Sequence, residues 1–342
     1  MSKFYKGLSR LLLAISFIAS SFFVNAQTTN GANPGKVLLK FKAAAVAQLQ
    51  RNEKQLSITN KAENFTTGIA RFDMVAKGFK ATKMKRIFPD AGRMEAKQKR
   101  YGLDKWYELD VNLSTSIESA VSAFRQIAEV EYVQPAFAIK SIAGVMTPLS
   151  GNTAKPFGAG DPFNDPYYYL QWHYHNTTQV GGYAGADINL PDAWKITAGK
   201  PNVIVNVVDE GADYKHVDLA ANMWVNTAEL NGLPGVDDDG NGYVDDVYGY
   251  NFADNTGAIT PGNHGTYTSG TIAAVNNNGI GVCGIAGGTG KGDGARIMTS
   301  EIFGGASGAN GAATAAAIAY GANNGAVISQ NSWGYTSPNV FD

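Results

Sequence analysis

The chain has 342 residues, of which 44% are hydrophobic and 17% are charged. This length allows two compact domains, and the composition excludes an intrinsically disordered chain. The net charge of -1 combines two unlike parts, because residues 27–140 hold 19 Lys and Arg against 11 Asp and Glu, whereas residues 141–342 hold 6 against 18. We therefore expect two oppositely charged units that attract each other.

The first 26 residues have the pattern of a secretory signal peptide. Three basic residues precede an apolar run over residues 11–24, and residues 24–26 form a small-residue cleavage motif. The apolar run is shorter than the ~20 residues that span a bilayer. We expect cleavage before Gln27, a secreted location and no membrane span in the mature chain.

Residues 27–140 have the pattern of a small α+β domain. Strands are predicted over residues 37–41, 106–111 and 131–133, and apolar residues recur at helical spacing over residues 117–128. Thr115 and Glu118 have the spacing of a capping box in front of that helix. The basic residues are scattered among these elements rather than gathered with stacking aromatic residues, so we expect no nucleic-acid partner.

Residues 141–165 are rich in glycine and proline and are interpreted as a linker. A proteolytic cut is tolerated in such a segment, so we expect a maturation site there. Beyond it, strands are predicted over residues 203–208 and 326–329, and small-residue helices over residues 266–275 and 312–322. This alternation predicts an α/β fold with a doubly wound, mostly parallel sheet.

Two residues of this α/β region are candidate catalytic groups. Asp209 directly follows the buried strand over residues 203–208, and catalytic groups gather at this end of parallel strands. His264 comes 55 residues later, at the start of a predicted helix and next to Gly265. Either residue alone would be interpreted as structural, the aspartate as a turn residue and the histidine as a packed side chain.

The segments around Asp209 and His264, residues 204–211 and 264–266, resemble the aspartate and histidine motifs of the subtilisin-like serine proteases, and they occur in the same order along the chain. The resemblance extends to residues 164–167 and 331–334, and residues 27–140 resemble the family's inhibitory propeptide. It implies a subtilisin-like fold and a secreted precursor that hydrolyses polypeptide substrates and is inhibited by its own propeptide.

The resemblance also implies a role for each matching residue. His264 would take the proton from an attacking serine, and Asp209 would hold the tautomer of the imidazole and stabilise its positive form. Ser332, Trp333 and Gly334 would form the strand that pairs with the substrate backbone.

The domain organisation implied by the resemblance has four parts. These are a signal peptide (1–26), an inhibitory propeptide (27–140), a linker with the maturation site (141–165) and the N-terminal part of a catalytic domain (166–342).

The sequence departs from the family pattern in three ways. Glu210 stands where the family usually has Ser or Thr, and Tyr267 stands where it has a second histidine. The segment Gly-Thr-Ser that carries the nucleophile does not occur, so the chain is predicted to stop before the catalytic serine and to be inactive alone. The alternative function is a non-catalytic, calcium-stabilised binding protein on a protease-like fold.

An acidic stretch over residues 237–246 has the oxygen spacing of an EF-hand-like calcium loop. Tyr248 stands at the closing position instead of glutamate, so the closing ligand is expected from Asp246. A solvated acidic turn is the alternative interpretation. The candidate ligands are Asp237, Asp239, Asn241, the Tyr243 carbonyl, Asp245 and Asp246. By resemblance, Asp218 and Asn278 would contribute to a second calcium site.

Overall fold

A computed structural model describes residues 32–58, 66–112, 116–142, 155, 158, 160–304 and 311–335 of the chain. The predicted signal peptide lies outside these residues. The strands are β1 (Ala32–Phe41), β2 (Lys83–Arg86), β3 (Trp106–Asp110), β4 (Val130–Phe137), β5 (Ile139–Ser141), β6 (Ile204–Asp209), β7 (Gly249–Asn251), β8 (Arg296–Glu301), β9 (Ile328–Asn331) and β10 (Trp333–Tyr335).

The α-helices are α1 (Ala43–Ile58), α2 (Ala70–Gly78), α3 (Glu95–Tyr101), α4 (Ile117–Arg125), α5 (Leu190–Trp194), α6 (Thr227–Asn231), α7 (Asn263–Ala273) and α8 (Gly311–Asn323). Short 3-10 helices lie at Gly92–Met94, Leu103–Lys105, Tyr168–Leu170 and Ala220–Asn222.

The basic N-terminal part forms an antiparallel sheet with the strand order β2-β3-β1-β4. Alternate residues of β1, namely Val37, Leu39 and Phe41, are fully buried against helices α1, α2 and α4. This period of two is expected for a strand with one face on a helical layer. The predicted capping residue Thr115 lies outside the described residues, and the hydroxyl of Ser116 caps α4 by accepting a hydrogen bond from the Ser119 backbone N–H at 3.3 Å.

The C-terminal part contains a parallel sheet with the strand order β7-β8-β6-β9. On one face, Val205 and Val207 of β6 pack in a cluster with Ala273 of α7. On the other face, Val208 packs with Ala317 of α8. Helices therefore cover both faces of the sheet, which confirms the predicted doubly wound α/β fold with a mostly parallel sheet, preceded by a small α+β domain.

The two parts are joined by apolar and backbone contacts. Leu38 and Phe88 of the N-terminal part pack in one cluster with Ala312 and Ala316 of α8. In addition, β5 pairs with β10 in a separate two-stranded antiparallel sheet. The N-terminal part therefore covers α8 with one face of its sheet and extends its last strand along β10.

Within the part of the chain that the structure describes, no helix is both long and apolar enough to cross a membrane. Cys283 is a free thiol that is fully buried, which is the usual environment of an unpaired cysteine.

Candidate active site

The structure brings Asp209 and His264 into direct contact. Asp209 is the last residue of β6, and His264 is the second residue of α7. The Nδ1 atom of His264 lies 2.7 Å from Oδ1 of Asp209, which is the distance of a strong hydrogen bond. The aspartate is fully buried, whereas the histidine side chain keeps 16% of its surface exposed. The exposed edge of the imidazole can therefore contact a bound molecule, while the buried carboxylate fixes the orientation of the imidazole.

Three hydrogen bonds fix the start of α7 to the turn after β6. The backbone N–H of Gly262 donates to the carbonyl of Gly211 at 2.7 Å. The backbone N–H of His264 donates to Oε2 of Glu210 at 2.9 Å. The backbone N–H of Asp213 donates to the hydroxyl of Thr266 at 3.0 Å. Because the first N–H groups of a helix have no partner within the helix, the Glu210 carboxylate also serves as the acceptor that this helix needs.

Burial raises the pKa of the Asp209 carboxyl, and the hydrogen bonds from His264 and from the Glu210 backbone N–H act in the opposite direction. Its second oxygen, Oδ2, has no hydrogen-bond partner among the described residues. An ionised carboxylate only accepts hydrogen bonds, so the proton of the neutral imidazole lies on Nδ1. This leaves Nε2 of His264 free to accept a proton, which is the arrangement of a general base.

Glu301 is a buried acidic residue that the sequence prediction missed. It ends β8 and pairs in parallel register with Asp209 at the same edge of the sheet. Its Oε2 atom accepts the backbone N–H of Thr260 at 2.8 Å, and burial raises the pKa of its carboxyl to about 7. Glu301 thus holds the loop that leads into α7. Its position after a buried strand is the same signal that identified Asp209.

Ser332 and the two residues after it already pair with another segment of this chain. Trp333 pairs with Ser141, Gly334 with Lys140 and Tyr335 with Ile139, all in antiparallel register. The pairing partner is β5, the last strand of the N-terminal part. The structure therefore shows that β10 accepts an extended backbone as a pairing partner.

The acidic loop brings together two of the predicted ligands, Asp237 and Asp239, and a third carboxylate, Glu229. One carboxylate oxygen from each of Glu229, Asp237 and Asp239 lies within 4.8 Å of the others. The backbone of Asn241 donates to both Asp237 and Asp239 at 3.0 Å and so orients the two carboxylates. Calcium prefers carboxylate and carbonyl oxygens, so this donor set fits calcium.

Asp245 and Asp246, two further predicted ligands, each have hydrogen-bond partners in the structure. Asp245 has a positive φ of 57°, and both of its carboxylate oxygens accept the backbone N–H of Gly235. Asp246 is fully buried, and its carboxylate accepts hydrogen bonds from Asn226, Asn241 and Tyr320. Burial raises the pKa of the Asp246 carboxyl to about 7. The Asp246 carboxylate therefore already has three hydrogen-bond donors, and Glu229 is the third carboxylate close to Asp237 and Asp239.

Tyr243, whose backbone carbonyl is another predicted ligand, is held in the loop by its side chain. This side chain is buried in an aromatic cluster with Tyr250 and Tyr320.

The residues of the second predicted calcium site also meet. The Nδ2 atom of Asn278 donates to Oδ1 of Asp218 at 2.8 Å. Asp165 lies next to them and accepts the backbone N–H groups of Asn277 at 2.7 Å and of Asn278 at 3.4 Å. Burial raises the pKa of the Asp218 carboxyl to about 6. The structure thus brings the two predicted ligands of this site into contact.

Two family models match the chain over most of its length. The model described as the N-terminal of the Subtilase family matches residues 37–178. The model described as the Subtilase family matches residues 200–340, which include the Asp209–His264 pair and β10.

Similar proteins carry protease names. A subtilisin-like protease 1 of Plasmodium vivax is 46% identical over 132 residues, which cover 37% of this chain and 19% of that protein. Neuroendocrine convertase 2 of Homo sapiens is 33% identical over 129 residues, covering 36% and 17%. A solved protease from Pseudoalteromonas arctica is 30% identical with a TM-score of 0.29, covering 46% of this chain and 43% of that one.

The chain thus spans less than a fifth of the length of the curated relatives it matches. The first matched region contains the α+β domain and extends into the C-terminal part, and the second contains the parallel sheet that carries the aspartate and histidine motifs. With both of its parts matched in the family's order, the chain belongs to the subtilisin-like (subtilase) family of serine proteases.

Proposed function

We propose that this chain is part of a secreted serine endopeptidase precursor that hydrolyses peptide bonds through an Asp-His-Ser triad. Asp209 and His264 are the first two members, and the serine is proposed to lie in a segment outside these 342 residues. The observation that carries the proposal is the 2.7 Å contact between Nδ1 of His264 and Oδ1 of Asp209 at the carboxyl edge of the sheet.

The proposed chemistry follows from that contact. Nε2 of His264 removes the proton from the serine hydroxyl as the oxygen attacks the peptide carbonyl, and it later gives this proton to the leaving nitrogen. Asp209 keeps the imidazole in the required orientation and stabilises its charged form. The polypeptide substrate pairs with Ser332, Trp333 and Gly334, as the backbone of β5 does in this structure.

We propose that the N-terminal domain inhibits the enzyme as its own propeptide. Its last strand, β5, is paired with β10, so a substrate cannot pair with β10 while the domain is bound. The face of its sheet that points away from α1, α2 and α4 packs on α8. The basic residues and apolar run of residues 1–26 support export of the precursor.

The proposed protease activity is tested on the complete protein encoded by the gene. We expect it to hydrolyse casein and to lose this activity with a serine-directed inhibitor. His264→Ala should reduce the rate by at least about 1,000-fold, because the general base is removed. A complete protein that folds but does not cleave casein would instead support the calcium-stabilised binding protein.

We further propose that calcium binds the acidic loop through Glu229, Asp237 and Asp239. A bound calcium ion would offset the repulsion between these carboxylates and so stabilise the loop. We expect a saturating calcium concentration to raise the melting temperature of the protein by about 5 °C or more.

Two matched variants test the ligand assignment by scanning calorimetry. Glu229→Gln should lose most of the calcium-dependent shift, because an amide binds calcium more weakly than a carboxylate. Asp245→Asn should keep the shift, because its side chain is turned toward Gly235. The opposite pattern would support the ligands predicted from sequence spacing, which include Asp245.

A further inference from the structure

A groove lined by aromatic side chains lies on the C-terminal part of the chain, apart from the catalytic pair. Its volume is about 670 Å³, which is within the range of roughly 300–1,000 Å³ that is usual for ligand pockets. Four rings line it, from Phe163, Tyr168, Tyr169 and Trp194. We refer to it as the aromatic groove.

Contacts among the side chains fix the orientation of these rings. The indole N–H of Trp194 donates to the carbonyl of Ile285 at 2.8 Å. The Phe163 ring meets the Trp194 ring at 62° with 4.9 Å between centroids, and the Tyr168 ring meets it at 49° with 6.0 Å. Rings at such angles enclose a space instead of stacking on each other. Because aromatic faces carry negative potential, the aromatic groove can bind a positive group.

The polar groups of the aromatic groove also favour a cation. Lys195 lines the groove, but its Nζ atom lies 2.5 Å from Oδ1 of Asp192, which offsets its charge. Asp161 lines it too and forms no ion pair with another described residue. The buried hydroxyl of Tyr168 has no hydrogen-bond partner among the described residues. A phenol oxygen accepts hydrogen bonds from ammonium groups, so this donor-poor site suits an organic ammonium ion.

The linker of this chain already places such a cation on one of the rings. The Nζ atom of Lys155 lies 4.2 Å from the centroid of the Tyr169 ring, which is within the distance of a cation–π interaction. Two backbone hydrogen bonds hold the linker there. The N–H of Lys155 donates to the carbonyl of Pro166 at 3.2 Å, and the N–H of Gly158 donates to Oδ2 of Asp161 at 2.8 Å.

The aromatic groove is connected to the far end of the helix that carries His264. The Tyr174 ring packs on Trp194, and its hydroxyl donates to the carbonyl of Thr271 at 3.2 Å. Thr271 lies seven residues after His264 in α7, which is about 10 Å along the helix axis. A polypeptide held in the aromatic groove can therefore place another of its segments at the catalytic pair, and this attachment would raise its local concentration there.

We propose that the aromatic groove binds lysine side chains of extended polypeptides. In the precursor the ligand is Lys155 of the linker, and after displacement of the linker a lysine of a second polypeptide binds in its place. The ammonium charge is the recognised feature, because the groove offers aromatic faces, the Asp161 carboxylate and the Tyr168 hydroxyl. Binding requires neither the catalytic pair nor a serine, so this site is separate from the proposed protease chemistry.

Fluorescence anisotropy with a labelled peptide of residues 152–158 tests this proposal. The binding protein is the complete chain with Lys155→Gln, which removes its own ligand, and with His264→Ala, which prevents cleavage of the peptide. We expect saturable binding, and a dissociation constant about 3- to 30-fold higher for the peptide acetylated at Lys155 and for the Lys155→Gln peptide. Equal constants for the three peptides, or no saturable binding at millimolar peptide, would overturn the proposal.

The role of the linker is tested with the single variant His264→Ala, which keeps Lys155. This protein should bind the labelled peptide more weakly than the double variant does, because its own linker competes for the aromatic groove. Equal affinities would show that Lys155 is not the ligand in the precursor.

Matched variants of the groove test the assignment from the protein side. Tyr169→Leu should weaken binding of the parent peptide by about 3-fold or more, whereas Tyr169→Phe keeps the ring and should stay within about twofold. Trp172→Leu removes an exposed aromatic side chain that does not line the groove and should leave the affinity unchanged. Equal losses in Tyr169→Leu and Trp172→Leu would contradict the assignment to the aromatic groove.

Discussion

Gly265→Ala is expected to lower kcat of the complete protease by about 100-fold or more. An added Cβ at Gly265 would lie 2.0 Å from the backbone carbonyl oxygen of Glu210. Neither atom is at the end of a flexible side chain, so α7 must move away from the turn after β6. A displacement of about 1 Å between reacting groups costs on the order of 100-fold in rate. His264 is the neighbouring residue and moves with the helix.

Gly270→Ala is the matched control for this prediction. Gly270 lies in the same helix, and an added Cβ there meets nothing within 4 Å. Alanine is favoured over glycine inside a helix by about 1 kcal/mol, so this variant should keep its activity and unfold at the same or a slightly higher temperature. Equal kcat values for the two variants would contradict the role assigned to the close packing of α7 on the turn.

Gly92→Ala in the propeptide is expected to weaken its inhibition of the mature enzyme by about 10- to 100-fold. Gly92 has a φ of +47°, and an added Cβ would lie 2.2 Å from the backbone carbonyl oxygen of Gly240 in the acidic loop. On the other side of this contact, a Cβ at Gly242 would lie 2.6 Å from the carbonyl oxygen of Asp90. The two backbones therefore pack with no space for a side chain.

Gly102→Ala separates this contact from simple backbone strain. Gly102 lies in the same domain at a φ of +71°, and its added Cβ meets only the flexible side chain of Lys105, at 3.6 Å. Both variants carry the cost of a left-handed alanine, roughly 1 kcal/mol, and both leave the core of the domain intact. Inhibition constants from a casein assay should differ between them. If they agree, the contact with the acidic loop contributes nothing to inhibition.

The positions of Asp209 and His264, which meet in the structure, could be predicted because their signals are local. A β-branched run marks β6 as buried, and Asp209 follows it directly. His264 precedes a run of small residues that becomes α7. The ends of the elements were less predictable: the strand predicted over residues 203–208 is Ile204–Asp209, and the helix predicted over residues 266–275 is Asn263–Ala273. Helix ends depend on capping groups such as Glu210, which lies far away in the sequence.

The proximity of Glu229 to the acidic loop could not be predicted from spacing alone. Glu229 lies on α6, eight residues before Asp237, and only the fold of the intervening chain returns the loop to it. The backbone N–H groups of Asp238 and Asp245 donate to the Glu229 carboxylate at 2.7 Å and 2.9 Å and hold it in place. A spacing rule considers only consecutive loop residues, whereas the proposed ligand Glu229 lies on a helix.

The kind of contact between the two parts of the chain could also not be predicted from the sequence. The opposite net charges predicted an attraction, but the described contact consists of apolar side chains on α8, close backbone packing at the acidic loop and the pairing of β5 with β10. Such contacts depend on the shapes of two folded surfaces. The charge difference remains a contribution to long-range attraction before these surfaces meet.

The central claim is that Asp209 and His264 activate a serine for peptide hydrolysis. The most direct test is kcat/KM of the complete protein on a peptide substrate, measured for the parent, Asp209→Asn, His264→Ala and His175→Ala. His175 is an exposed histidine of the same domain and serves as the control. We predict losses of about 1,000-fold or more for Asp209→Asn and His264→Ala, and parent activity for His175→Ala. Unchanged hydrolysis in Asp209→Asn and His264→Ala would contradict the claim.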